Sequence, residues 1–207
     1  MSATAKIILL NGSSSSGKTT LALKLQQLLD EPFQHMALDQ FRDGLPGRYR
    51  GFNSPEDTPG AQGLNIVPVQ RGGEAMTEIQ FGAHGSQVLA GMRRAVAAFA
   101  AAGNNVIIDD LLFEPEMLTD YVDALDGFAV WFVGVRCSLE VVNAREASRI
   151  GRFPGTAEAH FHEVHAHGAA YDVEVDTSDA RPRACAEQII RRMETAPEAF
   201  ARLRTRG

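Results

Sequence analysis

The chain has 207 residues, of which 44% are hydrophobic and 22% are charged, which is the composition of an ordinary globular domain. The length predicts a single domain over residues 1–207 with a core of normal size. The formal net charge of -6 argues against a broad nucleic-acid-binding surface, so we expect no nucleic-acid partner.

The N-terminal segment and the cysteines bear on where the protein works. The short segment before Lys6 predicts no signal peptide, and no apolar run is long enough to cross a membrane. Cys137 and Cys185 stand in no metal-binding or redox spacing and are predicted to be buried thiols. We therefore expect a cytoplasmic protein without a membrane partner. The sequence leaves its oligomeric state open, a homo-oligomer included.

The first predicted element is a strand, loop and helix unit. An apolar strand at residues 7–10 precedes residues 12–19, Gly-Ser-Ser-Ser-Ser-Gly-Lys-Thr, and a helix with leucines at helical spacing follows them. This is the phosphate-loop pattern G-x-x-x-x-G-K-[ST] in its expected context. Loop N–H groups and the helix N-terminus form an anion site, Lys18 adds a charge for the outer phosphates, and Thr19 offers a hydroxyl to Mg²⁺. The predicted nucleotide-binding residues here are Gly12, Ser13, Ser14, Ser15, Ser16, Gly17, Lys18, Thr19 and Thr20.

The remaining elements alternate between strands and helices. A second strand is predicted at residues 33–38, ending before Asp39, and residues 47–85 are predicted to be a long loop region with a short hairpin near residues 64–67. Later strands are predicted at residues 106–108, 128–135 and 173–175. Helices are predicted at residues 86–102, 114–125, 139–149, 157–166 and 180–193, with a short fraying helix in residues 195–207.

This alternation predicts an α/β fold in which a five-stranded parallel sheet has helices on both faces. Ligands of such sheets bind beyond the carboxyl ends of the strands. One crevice is therefore expected to collect the groups at the strand ends, which are the Gly12 loop, Asp39, Asp109, Asp110, Arg136 and Asp176.

Three carboxylates at strand ends are candidates for chemistry. Asp39 could accept the proton of an alcohol and aim its oxygen at a phosphoryl group; the alternative is a helix N-cap for the segment from Gln40. Asp109 and Asp110 follow an apolar strand, as the acid of a Walker-B element does, and one of them could hold Mg²⁺ directly or through water; we favour Asp109, in the outer shell of the metal. The other aspartate should point elsewhere because strand side chains alternate, and a turn pair with a capping Asp is the alternative.

Basic residues cluster in residues 138–168, the predicted lid. Arg145, Arg149 and Arg152 share one helix face if the helix continues, which suits a lid that closes over a transferring phosphoryl group, and Arg136 could add a fourth charge. A solvated face with Glu146 paired to Arg149 is the alternative. The histidines between His160 and His167 lack the spacing of a zinc helix, and a surface helix or a pH-sensitive flap explains them better than a metal site.

Apolar side chains near the strand-end acids could form an acceptor pocket within residues 40–85 and just after Asp110. Simple core packing is the stronger alternative for two of them, Leu112 and Phe113. The full set is Phe41, Leu45, Tyr49, Leu112 and Phe113.

Several of these segments together resemble the chloramphenicol phosphotransferase family of small P-loop kinases. They are residues 7–12 and 14–18, 38–39 with 43–46, 107–110, 131–137, 145–149 with Arg152, and 171–177. The resemblance implies a three-layer P-loop kinase fold, ATP-dependent phosphorylation of a hydroxyl, Asp39 as general base, and Arg145, Arg149 and Arg152 as lid arginines. The segment from Gly47 to Gly82 is longer than expected for that family and has a different composition, so the resemblance implies phosphoryl transfer and leaves the acceptor open.

We expect an ATP- and Mg²⁺-dependent O-phosphotransferase acting on a small-molecule hydroxyl acceptor, with chloramphenicol or a related antibiotic as candidates. Asp39, Lys18, Arg145 and Arg149 are the predicted catalytic residues, Arg136 and Arg152 are predicted to bind the nucleotide, and Thr19 and Asp109 are predicted to bind the metal. A metabolic or nucleoside kinase of the same fold, and a nucleotide-binding regulatory or toxin-like module, remain as alternatives.

Overall fold

The computed structural model describes residues 4–71, 73–148 and 155–205. Within these ranges eight strands form: β1 Lys6–Asn11, β2 Phe33–Ala37, β3 Arg50–Phe52, β4 Leu64–Arg71, β5 Glu74–Phe81, β6 Asn105–Asp110, β7 Ala129–Arg136 and β8 Val173–Asp176. The helices in the same ranges are α1 Lys18–Leu28, α2 Leu38–Asp43, α3 Pro59–Gln62, α4 Ala83–Ala101, α5 Pro115–Ala124, α6 Leu139–Ala147, α7 Thr156–Phe161, α8 Pro182–Arg192 and α9 Ala199–Arg204.

The predicted parallel sheet is confirmed. Its five strands lie in the order β2-β6-β1-β7-β8, and every neighbouring pair is parallel. The strand that precedes the phosphate loop is central, because β1 pairs with β6 on one side and β7 on the other. The carboxyl ends of β1 and β6 consequently lie side by side, with Asn11 opposite Asp110 and Leu10 opposite Asp109.

Each face of this sheet carries its own apolar core, which makes the domain a three-layer α/β/α structure. The alternating side chains of β1 divide between them: Ile8 and Leu10 pack with α1 and α8, whereas Ile7 and Leu9 pack with α4, α5 and α9. All four are completely buried. This double burial explains why the strand is apolar throughout rather than alternating.

The long loop predicted for residues 47–85 is wrong, because the chain there builds a second sheet; the hairpin predicted near residues 64–67 is confirmed, but it is longer than expected. Three strands lie in the order β3-β4-β5, and β4 and β5 form an antiparallel hairpin of eight residues each. We call this unit, residues 50–81, the inserted sheet. Pro68 within β4 and the many glycines around it conceal the strands in the sequence, since both residue types are poor strand formers.

Glycines attach the inserted sheet closely to the rest of the domain. A Cβ at Gly63 would lie 2.0 Å from the carbonyl oxygen of Tyr49, and one at Gly82 would lie 2.1 Å from that of Ala61. Only a residue without a side chain permits these backbone approaches. The glycines that suggested a loop are therefore packing residues.

The C-terminal helix is not the fraying segment that the sequence predicts. Phe200 is buried in the core formed by α4 and α5, and Arg204 donates hydrogen bonds to the carbonyl oxygens of Val122 and Leu125. Asp172 holds the start of this segment by accepting bonds from Arg192 and from the Glu198 backbone N–H at 2.9 and 2.7 Å. No helix among the described residues is long and apolar enough to span a membrane.

Candidate active site

The phosphate loop connects the end of β1 to the start of α1. A Cβ at Gly12 would lie 2.5 Å from the Val135 carbonyl oxygen, and Gly17 has φ 91°. Steric constraints therefore explain why both fixed positions of the motif hold glycine. Lys18 is buried, and its ammonium donates to the carbonyl oxygens of Gly12 and Ser13 at 2.9 and 3.0 Å. The loop therefore curls around its own lysine.

Asp109 lies beside this loop as the penultimate residue of β6. It accepts a hydrogen bond of 2.7 Å from the Thr19 hydroxyl, and its other oxygen lies 3.8 Å from the Lys18 ammonium. His35 on β2 approaches to 3.6 Å, just beyond hydrogen-bond range. Burial of this carboxyl raises its pKa, but the nearby His35 ring, the Lys18 charge and the Thr19 bond outweigh burial and leave the pKa below its usual value. Asp109 thus remains a charged oxygen ligand next to a hydroxyl, which is a donor set suited to Mg²⁺.

Asp110 has the opposite environment on the other face of β6. It accepts hydrogen bonds of 2.7 Å from the Tyr121 hydroxyl and 2.8 Å from the Leu111 backbone N–H. Complete burial raises the pKa of this carboxyl to about 6. The structure therefore separates these two neighbours as strand alternation predicts: Asp109 lies beside the phosphate loop and Asp110 lies in the core.

Asp39 lies in the first turn of α2, because β2 ends at Ala37 and the helix begins at Leu38. It is not the N-cap considered as an alternative, since Ala37 holds that position and Gln40 accepts the bond from the Ala37 N–H. The Asp39 carboxylate is 46% exposed and accepts a hydrogen bond of 2.7 Å from Arg42. It is thus accessible to a ligand while its orientation is fixed by a cation.

A single cleft contains both Asp39 and the phosphate loop. Its polar lining includes Lys18, Thr19 and Asp109 next to the phosphate loop, together with Asp39 and Arg42 of α2. Apolar side chains complete the lining, namely Ala37, Leu38, Leu64, Ile79 and Leu111.

The aromatic and leucine residues predicted to form an acceptor pocket lie elsewhere. Leu45 and Leu112 are buried, Phe41 and Phe113 pack against the main core, and Tyr49 contacts His84 with 4.6 Å between ring centroids. The inserted sheet supplies the cleft with Leu64 and Ile79 in their place. Sequence reasoning missed these two residues because it predicted only a short hairpin near residues 64–67 and did not place that hairpin at the cleft.

Two of the predicted basic residues, Arg145 and Arg136, do not line that cleft. Arg145 donates to the Thr177 hydroxyl and carbonyl at 3.2 and 2.6 Å and lines a separate groove with Gly17 and Thr20. Arg136 pairs with Glu174 at 2.5 Å and lies over the ring of Tyr171. Arg149 and Arg152 fall outside the described residues. Glu146 accepts hydrogen bonds from the Gly155 and Ala157 N–H groups, and its alternative pairing with Arg149 lies outside the described residues.

The expectation of one crevice for all strand-end groups is therefore wrong in part. Asp176 accepts hydrogen bonds from the backbone N–H and hydroxyl of Ser178, Asp110 is in the core, and Arg136 lines a different cavity. Side-chain alternation and local turns send these groups in different directions although their backbones end at one edge.

The histidine-rich segment is also not a simple surface helix. Helix α7 ends at Phe161, His160 is buried with its ring 5.2 Å from that of Phe113, and His165 and His167 both contact the Tyr171 hydroxyl. No group of three or more His, Cys, Asp or Glu side chains among the described residues has the arrangement of a metal site.

Sequence reasoning missed several residues around the loop. Thr177 donates a 2.6 Å hydrogen bond to the Ser16 carbonyl, and Asn11 donates to the Val164 carbonyl at 2.6 Å. His35 lies near Asp109 because β2 and β6 are neighbours in the sheet, and the sequence does not show that pairing. No sequence pattern marks Asn11 or Thr177 either, since their partners are remote in the chain.

Comparison with known proteins identifies the family of the chain. Residues 5–194 match the family described as "Chloramphenicol phosphotransferase-like protein". The chain belongs to this family. Two similar proteins, from the H37Rv and CDC 1551 strains of Mycobacterium tuberculosis, bear the name "Putative O-phosphotransferase". Each is 32% identical to this chain, and the alignment covers 97% of this chain and 88% of the relative.

Solved structures show that the family fold is shared with small-molecule kinases. The APS kinase of Mycobacterium tuberculosis in complex with AMPPNP and APS has a TM-score of 0.61 and 16% identity, covering 92% of this chain and 98% of its own. The tunicamycin resistance protein of Deinococcus radiodurans has a TM-score of 0.56 and 18% identity, covering 93% and 98%. Shikimate kinase of Aquifex aeolicus has a TM-score of 0.55 and 17% identity, covering 91% and 96%. At these identities the likeness establishes the P-loop kinase fold alone.

Proposed function

We propose that this protein is an ATP-dependent kinase that transfers the terminal phosphoryl group to a hydroxyl of a small molecule. The observation that supports this most directly is the cleft in which Asp39 faces the phosphate loop. Phosphoryl transfer requires a phosphate cradle and a group that orients the attacking oxygen in one space. Membership of a phosphotransferase-like family is consistent with the same chemistry.

The phosphate loop would hold the nucleotide. Its N–H groups and the ammonium of Lys18, which now binds the Gly12 and Ser13 carbonyls, would bind the outer phosphate oxygens. The Thr19 hydroxyl and Asp109 would hold Mg²⁺, for which their paired oxygens are suited. The metal would neutralise charge on the phosphates.

Asp39 would orient the acceptor hydroxyl and take its proton. Its carboxylate is exposed to the cleft, and Arg42 fixes its orientation through a 2.7 Å bond. The apolar side of the cleft, formed by Leu64, Ile79 and Leu111, suits an acceptor with an apolar surface next to its hydroxyl. Chloramphenicol and related antibiotics have this character, and a metabolite or nucleoside with such a surface is the second candidate class.

The groove on the other side of the phosphate loop would accommodate the rest of the nucleotide. It is lined by Arg145, Thr177, Ala180 and Pro182 next to Gly17. Arg145 would lie beside the phosphates there. Arg149 and Arg152 are proposed to complete the charge around the transferring group, as their spacing from Arg145 suggests.

The test is Asp39→Asn, with Asp43→Asn as the matched control. Both carboxylates bind Arg42, but Asp39 lines the cleft. ADP release should be followed over a panel of hydroxyl compounds that includes chloramphenicol, and ATP binding should be measured by calorimetry. We expect Asp39→Asn to lower turnover about 1,000-fold, within the range for a general base, with ATP affinity unchanged. Asp43→Asn should behave as wild type. Near-wild-type turnover of Asp39→Asn would exclude the base assignment, and wild-type protein that binds no ATP would exclude the kinase function.

A further inference from the structure

A second cavity lies between the phosphate loop and the end of β7. It has a volume of about 190 Å³ and is lined by Ser13 of the loop, by Arg136 and Cys137, and by His165 from the segment after α7. It is distinct from the cleft that contains Asp39. Its most informative residue is His165, because the hydrogen bonds around it fix which ring nitrogen carries the proton.

The chain of bonds begins at His167. The backbone N–H of Ala169 donates to His167 Nδ1 at 3.1 Å, so that nitrogen is an acceptor and the ring proton is on Nε2. His167 Nε2 lies 2.9 Å from the Tyr171 hydroxyl oxygen and must donate to it. Burial and the charge of Arg136 lower the pKa of His167, in agreement with this neutral form.

The hydroxyl of Tyr171 determines which ring nitrogen of His165 carries the proton. Its hydroxyl oxygen accepts from His167 and also from the Asn11 amide nitrogen at 2.8 Å, which occupies both lone pairs. Its own proton must then go to His165 Nδ1, 2.6 Å away. Since Nδ1 of His165 accepts, the proton of the neutral ring is on Nε2.

The ring of His165 stays neutral because of its surroundings. Burial, together with the charge of Arg136, lowers the pKa of His165 to about 4; the Lys18 charge contributes to this lowering, and the Glu174 carboxylate opposes it. Burial raises the pKa of Tyr171, so its hydroxyl retains the proton that it donates. Among the described residues nothing accepts a bond from His165 Nε2, so this N–H is available to a ligand.

We propose that this cavity is an oxyanion site in which the Nε2–H of His165 and the guanidinium of Arg136 bind a phosphate or carboxylate group next to Ser13. A neutral donor suits this place, since an imidazolium would be repelled by both Arg136 and Lys18. The oxyanion would be either the terminal phosphate of the nucleotide or an anionic group on the acceptor. Both of these sources presuppose the proposed function. Tyr171, His167 and Asn11 act as positioning residues for His165.

Nuclear magnetic resonance of the histidine ring nitrogens tests the site in the full-length protein. His165 should show a single Nε2–H tautomer, assigned by its loss in His165→Gln. Three titrations identify the source: Mg²⁺ with AMPPNP, inorganic phosphate alone, and inorganic phosphate after saturation with Mg²⁺ and AMPPNP. A saturable shift of the His165 resonance with AMPPNP identifies the terminal phosphate, and a shift only on adding phosphate to the saturated protein identifies a separate anion. If the His165 resonance shifts in none of the three titrations while calorimetry shows that AMPPNP binds, the oxyanion site is wrong and the proposed kinase function is unaffected.

Tyr171→Phe tests the hydrogen-bond chain, because it removes the hydroxyl and keeps the ring. We expect His165 to populate both tautomers and its affinity for the anion to fall about fivefold, the value of one ordinary hydrogen bond. His84→Gln, at a histidine that contacts Tyr49 instead, should leave both unchanged. If Tyr171→Phe is poorly folded, His165→Gln and His165→Leu replace it: the glutamine should retain more anion affinity than the leucine. Wild-type tautomer and affinity in Tyr171→Phe, or equal affinity in the two His165 variants, would contradict the proposal.

Discussion

The phosphate-loop edge of the main sheet and the inserted sheet contribute to one cleft by different means. The loop edge presents polar groups bound to each other, such as Thr19 with Asp109 at 2.7 Å. The inserted sheet presents the apolar side chains Leu64 and Ile79, and it is attached by backbone contacts that only glycines allow. The difference indicates that one region supplies the chemistry and the other supplies the shape in which an acceptor must fit.

Loss of Lys18 should have the largest effect of all on turnover. Lys18→Met removes the buried ammonium that would bind the outer phosphates, so we expect kcat/KM to fall about 1,000-fold, as when a preorganised charge donor is lost. Lys24→Met on the same helix removes an ammonium bonded to Gln27 and should leave turnover unchanged. Steady-state kinetics give kcat/KM, and a thermal unfolding scan shows whether each variant is folded. A Lys18→Met variant whose kcat/KM lies within tenfold of wild type would contradict the phosphate-binding role of Lys18.

Gly63→Ala should instead damage the inserted sheet. The new methyl group would lie 2.0 Å from the Tyr49 carbonyl oxygen, so we expect the free energy of unfolding to fall by about 3 kcal/mol, at the upper end for overpacking. Gly91→Ala in α4 meets nothing within 4 Å and should raise the free energy of unfolding by about 0.5–1 kcal/mol. Urea denaturation of both variants is the measurement. A harmless Gly63→Ala would mean that the sheet is loosely attached.

The pH dependence of stability tests whether Asp110 belongs to the core rather than to the phosphate-loop edge. Its pKa is raised from 3.8 to about 6 in the folded protein, so the folded state binds more protons between these values and stability falls as pH rises through them. Ionisation of this group should cost about 3 kcal/mol of unfolding free energy by pH 7. Asp110→Asn should remove that part of the pH dependence between pH 4 and 7, as measured by denaturation at several pH values. A pH profile identical to that of wild type would show that Asp110 is not the buried acid responsible.

The smallest effect is expected from the side chain that shapes the acceptor space. Ile79→Ala should raise the KM of the best acceptor about tenfold and leave the KM of ATP unchanged, because methylene contacts contribute about 1–3 kcal/mol to selection. Val67→Ala is the control: Val67 pairs with Glu78, so it faces away from Ile79 on the hairpin. Equal effects of the two variants on the KM of the acceptor would show that the inserted sheet does not select the acceptor.

The phosphate loop and the parallel sheet were determined by the sequence alone. The loop is eight consecutive residues, Gly12 to Thr19, whose steric and charge requirements are local, and buried strands such as β1 are apolar throughout. Local chemistry of this kind can be predicted from spacing without knowing which elements become neighbours.

Tertiary structure alone decided the rest of the site. Strand order places His35 beside Asp109, hairpin pairing brings Leu64 and Ile79 to the cleft, and the Asn11 amide reaches the Tyr171 hydroxyl across 160 residues of chain. Residue spacing cannot encode such contacts, because they depend on which segments the sheets bring together in space. Asp109 and Asp110 show the limit clearly: alternation predicts that they diverge, but only the packing of α1 and α5 on opposite faces determines which one meets the phosphate loop.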